Sequence, residues 1–221
     1  MKIRLSILII LVAALGLFIS VNLSAQIPQW EEQLQSDSAN VELLFQLGRA
    51  YHDLGGQHED KSAVKKADVY LSKLMALAPD NAVAMVYYGS MLTQKARDAQ
   101  LPWKKMSYMK RGFAIMDSAV VMDPDEAEIR LIRAINGTSV PGMFQRLKTA
   151  LADFKHIESL GQERLQTMTK AFWLPYYFYY GLALTKDEQD QEARAKLAKV
   201  IELDPQSELA TKARQKLDKI K

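Results

Sequence analysis

Apolar residues recur at intervals of three and four along most of the chain, which is the spacing of one face of an α-helix. The first two such segments are followed by residues that stop helices, Gly55-Gly56 and Pro79. Their apolar faces consist of Leu43, Leu44, Leu47, Ala50, Tyr51 and Leu54, and then of Ala67, Tyr70, Leu71, Leu74 and Leu77. The pattern predicts an antiparallel helix pair over residues 40–80.

Related patterns return along the rest of the sequence. Each first helix carries a small residue at the equivalent position, where two helix backbones can approach closely: Gly48, Gly89, Ala134 and Gly181. Self-similarity of this kind predicts a stacked helical array. The predicted pairs cover residues 40–80, 82–125, 127–160 and 174–206, and residues 207–221 are expected to form a C-terminal cap, which such arrays require.

The first unit resembles a tetratricopeptide repeat, whose pattern is W-x2-L-G-x2-Y, A-x3-F and a closing proline. The matching residues are Leu44, Leu47-Gly48, Tyr51, Ala67, Leu71 and Pro79. The second and fourth units match as well, whereas the third carries Arg130 and Arg133 where apolar residues are expected. The resemblance implies an all-α fold over residues 26–221, a right-handed α-solenoid of four such helix pairs with a C-terminal capping helix.

The small residues lie further apart than in a typical repeat of about 34 residues. We therefore expect insertions within the units, because the helices themselves match the family pattern. The expected insertions lie within residues 55–66, 93–110, 138–142 and 158–173. Insertions in such arrays usually lie on one face, where they can contact partners.

The resemblance implies that the first helices line a concave groove that binds a partner. Carried onto this sequence, the groove positions are Phe45, Arg49, His52, Val86, Ser90, Leu131, Ile135, Phe178 and Leu182. Four equivalent positions, Phe45, Val86, Leu131 and Phe178, are apolar, so we expect a hydrophobic ladder along the groove. This ladder favours an apolar segment of a protein partner. The alternatives are a small lipid-like ligand enclosed by the groove and the insertions, or a groove filled by one of the insertions.

A polar cluster interrupts the third unit. Arg130, Arg133 and Asn136 are spaced by three residues and therefore share one helix face. Arginines in such a position either bind a carboxylate or phosphate, or form internal salt bridges to acids such as Asp153 or Glu128. The aromatic run over residues 172–180 likewise allows two interpretations, an exposed interface or internal packing. We expect Pro175 to start or kink the helix that contains this run.

The first 25 residues have the features of an export signal. Lys2 and Arg4 precede an apolar run over residues 7–19, and Ala25 ends a small-residue cleavage site. We expect export to a periplasmic or secreted location with cleavage after Ala25. The alternative is an uncleaved membrane anchor over residues 5–23.

Composition narrows the possible functions further. The chain has no cysteine, and removing Lys2 and Arg4 leaves 27 of its 29 basic residues against 26 acidic ones, which gives no electrostatic argument for nucleic-acid binding. The sequence lacks the motifs of metal sites and phosphate loops, so we expect no enzyme activity, no cofactor and no metal. The basic residues Lys104, Lys105, Lys110 and Arg111 around Trp103 could contact anionic lipid headgroups, although a solvated helix face is the more common arrangement.

Overall fold

The computed structural model describes residues 23–161 and 165–220. Within these residues the chain forms ten α-helices and one short 3-10 helix, Gly142–Phe144. The α-helices are α1 (Leu23–Ser36), α2 (Val41–Gln57), α3 (Lys61–Leu77), α4 (Ala82–Asp98), α5 (Pro102–Met122), α6 (Ala127–Ser139), α7 (Leu147–Ser159), α8 (Lys170–Lys186), α9 (Asp190–Leu203) and α10 (Glu208–Leu217).

The predicted export signal falls almost entirely on residues 1–22, which lie outside the described residues. The expected cleavage point after Ala25 is within the first turn of α1. Across the described part of the chain, none of the helices combines the length and hydrophobicity that crossing a bilayer requires.

The helices form four antiparallel pairs, α2 with α3, α4 with α5, α6 with α7, and α8 with α9. Consecutive pairs stack because the first helices lie side by side, and α10 packs against the last pair. Side-chain caps fix several helix starts: Asn40 accepts from the Leu43 amide at 3.0 Å, and Asn81 accepts from the Ala84 amide at 2.9 Å. The all-α solenoid of four helix pairs predicted from the sequence is confirmed.

The extra length of the first two units lies in longer helices, so the prediction of inserted loops there is wrong. Gly55-Gly56 does not stop α2, which continues to Gln57, and Asp60 caps α3 through the amides of Ser62 and Ala63. The second predicted insertion, over residues 93–110, is mostly the end of α4 and the start of α5. Pro175 does not start its helix, because α8 begins at Lys170 and Pro175 lies inside it.

Two glycines allow the backbones of α4 and α5 to approach closely. A Cβ added to Gly89 of α4 would lie 2.7 Å from the carbonyl oxygen of Gly112, and one added to Gly112 of α5 would lie 2.6 Å from the Gly89 oxygen. Real Cβ atoms do not approach backbone oxygen this closely. The second helix pair therefore depends on both glycines.

Helix α1 was not predicted, and it covers the open end of the first pair. Ile27 belongs to the core, with Trp30 and Leu34 packed against it. One carboxylate oxygen of Glu31 accepts hydrogen bonds from Tyr51 at 2.8 Å, Tyr70 at 3.0 Å and Lys66 at 3.0 Å. Burial raises the pKa of Glu31, but these hydrogen bonds outweigh burial and leave it below its usual 4.5.

The apolar interior is divided into two clusters that meet on α6. The first runs from Ile27 to Ile132 and the second from Leu131 to Ile220. Ile129 and Ile132 of α6 belong to the first cluster, while Leu131 and Ala134 of the same helix belong to the second. Helix α6 therefore contributes side chains to the apolar interior of both halves of the solenoid.

Candidate functional site

The candidate site is the face formed by the first helices of the four pairs, α2, α4, α6 and α8. These helices pack in this order, which brings the predicted groove residues of neighbouring units next to one another. The second helices α3, α5, α7 and α9 lie on the other layer, as in any stack of antiparallel helix pairs.

The predicted hydrophobic ladder does not form an exposed surface. Val86, Leu131 and Phe178 are all buried in the two apolar clusters. Only Phe45 is partly exposed, and its ring packs edge-on against Tyr87 with centroids 5.7 Å apart. The expectation of an open apolar groove is therefore wrong for these positions, because neighbouring first helices use them to pack together.

A chain of polar side chains crosses the face of the first three units instead. The two ring nitrogens of His52 contact the Asp53 carboxylate at 2.9 Å and the Ser90 hydroxyl at 2.8 Å. Asn136 donates to the Ser90 oxygen at 2.9 Å, and its own oxygen accepts from Thr93 at 2.5 Å. Helices α2, α4 and α6 are thus joined by consecutive hydrogen bonds. Because buried polar groups are costly without partners, this chain fixes how the three helices align.

An ion pair spans the same three helices. Arg49 of α2 lies 3.0 Å from Glu128 of α6, and between them Tyr87 of α4 donates to the same Glu128 oxygen at 2.7 Å. The Arg49 guanidinium also stacks over the Tyr87 ring, 5.5 Å from its centroid. Repeats in a solenoid normally contact only their immediate neighbours. The Arg49–Glu128 pair therefore connects the first unit directly to the third.

Burial and nearby charges shift the pKa values of Tyr87 and Arg49. Burial raises the pKa of Tyr87 well above its usual 10.0, and the charges of Glu128 and Asp53 raise it further, so the phenol stays protonated and can donate. Burial lowers the pKa of Arg49, but the negative charges of Glu128 and Asp53 outweigh burial and raise it. Arg49 therefore stays charged, as its ion pair with Glu128 requires, and Tyr87 stays protonated, as its hydrogen bond to Glu128 requires.

The remaining groove residues define what a partner can reach. The side chain of Arg49 is 37% exposed and that of Asp53 is 42% exposed. Ile135 and Leu182 are partly buried, whereas Ser90 is buried. The face thus offers charged groups on the first unit and partly buried apolar side chains on the third and fourth units.

The structure divides the predicted polar cluster of α6 into two groups, Asn136 alone and Arg130 with Arg133. Asn136 belongs to the polar chain, whereas both arginines bind Asp153 of α7, whose side chain is fully buried. Arg133 makes two hydrogen bonds to Asp153, from Nε at 2.8 Å and from Nη2 at 2.7 Å, and Arg130 adds a third at 2.8 Å. The structure thus has the internal salt bridge to Asp153, and the other suggested acid, Glu128, pairs with Arg49 instead.

This ionic group extends to the second unit. Arg133 also donates to Asp117 of α5 at 3.0 Å, and Arg146 holds Asp117 through both of its terminal nitrogens. Burial lowers the pKa of Arg133, but hydrogen bonding to Asp153 and the charge of Asp117 raise it above its usual value. The arginines that break the repeat pattern are therefore structural, since protein carboxylates occupy their donors.

The aromatic run is mainly internal packing. Tyr176, Phe178 and Tyr180 are buried, and Tyr180 stacks on Phe154 of α7 with centroids 4.9 Å apart. The Tyr176 hydroxyl donates to the Phe154 carbonyl oxygen at 3.3 Å. Trp173 and Tyr177 are only partly buried. The run thus fills the second apolar cluster.

One central residue of the site, Tyr87, was not predicted. The repeat pattern draws attention to its neighbour Tyr88, which precedes the small-residue position of the unit. A signal was nevertheless present, because Tyr87 lies four residues after Val83 and three before Ser90 on one helix face.

Comparison with known structures supports the same architecture. A thermophilic TPR protein from Thermus thermophilus, known from a crystal structure, superposes with a TM-score of 0.67. The alignment covers 87% of this chain and 89% of that protein, at 18% sequence identity. The chain has the tetratricopeptide-repeat fold. At this identity the likeness concerns the fold alone.

Two further comparisons gave no relative. No protein-family model matches the sequence, and no curated protein matches it significantly. The tetratricopeptide-repeat fold is therefore recognisable here in three dimensions and in the Leu-Gly and Pro positions of the units.

Proposed function

We propose that this protein is a non-catalytic interaction scaffold outside the cytoplasm, which holds a segment of a protein partner across its concave face. The observation that carries the proposal is the ion pair and polar chain that join α2, α4 and α6. These contacts hold partly exposed charged groups, Arg49 and Asp53, in fixed positions. Rigid placement of polar groups lowers the entropic cost of binding a partner.

The polar chain also changes the expected chemistry of the partner. With the apolar ladder buried, the accessible face combines the charges of Arg49 and Asp53 with apolar contacts from Phe45, Ile135 and Leu182. A segment that fits such a face carries both polar or charged groups and apolar side chains.

The arrangement of Asp53, His52 and Ser90 resembles the acid, base and nucleophile of a hydrolase. Two features argue against catalysis. Ser90 is buried, and its oxygen already accepts a hydrogen bond from Asn136. Ser90 also lies within α4, where backbone amides are used by the helix, so the backbone supplies no oxyanion hole there.

The small-ligand alternative has less support. Two surface clefts have volumes of about 410 and 550 Å³. The first is lined by α5 with the segment before α7, and the second by the turn before α6 with Leu160, Thr167 and Met168. Neither is lined by a predicted groove residue. Native mass spectrometry of the purified protein checks this alternative, since a co-purifying lipid-sized adduct would favour a carrier.

Site-specific photocrosslinking in the source cell tests the scaffold proposal. A photoreactive amino acid is placed at Phe45, Arg49 or Leu182 on the first helices, and at the exposed positions Val69 of α3 and Val121 of α5 as matched controls. We expect one crosslinked partner band from the first-helix positions and none from the controls. Equal crosslinking from both layers, or crosslinking only from α3 and α5, contradicts a groove site.

Two separate measurements test the absence of catalysis and the location. A fluorophosphonate probe should not label Ser90, with Ser90→Ala as the control, whereas stoichiometric labelling would establish a reactive serine. Mass spectrometry of the protein from fractionated source cells should find a chain starting at Gln26, or an intact chain in the membrane fraction. An intact chain in the cytosol contradicts export.

A further inference from the structure

The start of α5 has an unusual distribution of charge. Four basic residues, Lys104, Lys105, Lys110 and Arg111, lie in its first ten positions, and no acidic residue occurs between residues 99 and 116. A helix start carries the positive end of the macrodipole, where cations are unfavourable. The residue before α5, Leu101, also provides no side-chain cap. This helix start thus breaks two rules of local stability, as residues at functional sites often do.

These cations have no acidic partner among the described residues. Within that part of the chain, no carboxylate lies within ion-pair distance of Lys104, Lys105 or Lys110. Arg111 contacts the Tyr88 ring and hydroxyl. In contrast, the neighbouring Lys95 and Arg97 are paired with Asp68 and Asp98. The positive charge is therefore available to a partner.

Large apolar side chains lie exposed beside the same charges. Trp103 is 67% exposed and Met143, from the short 3-10 helix, is 73% exposed. Met143 lines a surface cleft together with Met106 and Lys110 of α5. Trp103 lies three residues before Met106 and seven before Lys110, so all three share one helix face. Exposed apolar groups and cations therefore occur together around the first three turns of α5, a region that we call the basic edge: Trp103, Lys104, Lys105, Lys110, Arg111 and Met143.

The basic edge lies on the same side of the helix layers as the start of α1. Short turns connect α1 to α2, α2 to α3, α3 to α4 and α4 to α5, so each helix reverses direction. The starts of α1, α3 and α5 are consequently on one side of the array. Residues 1–22, which contain the apolar run of the predicted export signal or anchor, are joined to the chain on this side.

We propose that the basic edge docks onto an anionic membrane surface, with Trp103 and Met143 entering the interface and the four cations facing lipid headgroups. This proposal goes beyond the scaffold function and concerns a different surface. Tryptophan is suited to the membrane interface because it has an apolar ring and a polar N–H. Lysines near anionic lipids each strengthen binding about fivefold. A protein partner at this surface is the competing possibility, and the experiment separates the two.

Vesicle flotation tests the proposal with a chain of residues 26–221, because both apolar clusters lie between Ile27 and Ile220. Circular dichroism first establishes that each variant is folded. The vesicles contain phosphatidylcholine alone or with about one-third phosphatidylglycerol. The test variants are Trp103→Ser and Lys104→Glu/Lys105→Glu. The controls are Val121→Ser, at the other end of α5, and Lys73→Glu/Lys199→Glu, which changes the net charge equally.

We expect the wild-type chain to float only with anionic vesicles and to dissociate as salt is raised. Lys104→Glu/Lys105→Glu should weaken binding at least about 25-fold, from about fivefold for each charge lost, and Trp103→Ser about tenfold. The two controls should bind like wild type. Failure to float with anionic vesicles, or equal losses in the test and control variants, overturns the proposal and leaves the groove function untouched.

A second measurement uses the full chain reconstituted in vesicles. Lipids brominated near the headgroup should quench tryptophan fluorescence in the wild type and much less in Trp103→Phe, since Trp30 and Trp173 are partly buried elsewhere in the fold. Equal quenching of the two proteins contradicts contact between Trp103 and the membrane.

Discussion

Removing the carboxylate of Asp153 should destabilise the solenoid more than any change to an exposed charge. Asp153 is fully buried and accepts three hydrogen bonds from Arg130 and Arg133, which are themselves only 13% and 12% exposed. In Asp153→Ala both guanidinium groups stay buried with fewer partners. Breaking a buried ion pair from one side costs about 3–5 kcal/mol, which is a large fraction of the roughly 5–15 kcal/mol that stabilises a typical domain.

Arg133 retains Asp117, and Arg130 retains the Pro124 carbonyl oxygen, so we expect the lower part of this range. For a chain of this length, about 3 kcal/mol corresponds to a decrease in Tm of roughly 6–12 °C.

Urea unfolding followed by circular dichroism at 222 nm measures the change in the free energy of unfolding. Glu202→Ala is the matched control, because Glu202 is exposed and pairs with Lys199 on the surface. Such surface pairs contribute about 0–1 kcal/mol. A loss below about 1 kcal/mol for Asp153→Ala, equal to that of the control, would refute the argument that the third unit depends on this buried ion pair.

Three further changes probe other parts of the fold, all measured by urea unfolding. Gly89→Ala should cost about 1–3 kcal/mol, because its Cβ would meet the Gly112 backbone oxygen, whereas Gly142→Ala, with open space around it, should be nearly neutral; similar losses for both would contradict the close helix crossing. Phe178→Ser should cost about 3–5 kcal/mol, as expected for a buried core residue, and unchanged stability would place Phe178 in an open groove after all. Because the pKa of Glu31 is lowered in the folded chain, its stabilisation is present above about pH 4.5 and is lost as the pH falls through the folded-state value. Glu31→Gln should therefore be less stable than the wild type at pH 7, and the difference should shrink as the pH falls below about 4.5; a difference independent of pH would contradict this assignment.

The sequence was sufficient to predict the fold because the repeat signals are local. Leu47-Gly48 and Tyr51 lie on one helix, and the closing prolines follow the second helices directly. The lengths of the units were harder to interpret, since Gly55-Gly56 normally ends a helix. In the structure Gly55 is buried, and a Cβ there would lie 2.7 Å from Val64 of α3. The glycine therefore serves a close helix contact, which the local pattern cannot distinguish from a helix stop.

The candidate site was predicted less well because its residues act through distant partners. The apolar character of Val86 and Leu131 was recognised correctly, but whether such residues face a groove or a neighbouring helix depends on how closely the units stack. Likewise, the pairing of Arg49 with Glu128 depends on the curvature of the array, which no single repeat encodes. Only for Arg130 and Arg133 did the sequence already suggest the observed partner, Asp153.

The division of the interior on α6 has a consequence for how the molecule loses structure. In a linear array, stability is the sum of each unit and its interfaces, so the two halves can open separately if the helix between them remains folded. Helix α6 is the one element whose unfolding removes support from both sides at once. It also carries Glu128 and Asn136, which reach back to the first two units, and Arg130 and Arg133, which reach forward to α7. The middle of this chain therefore determines whether the solenoid behaves as one cooperative body or as two.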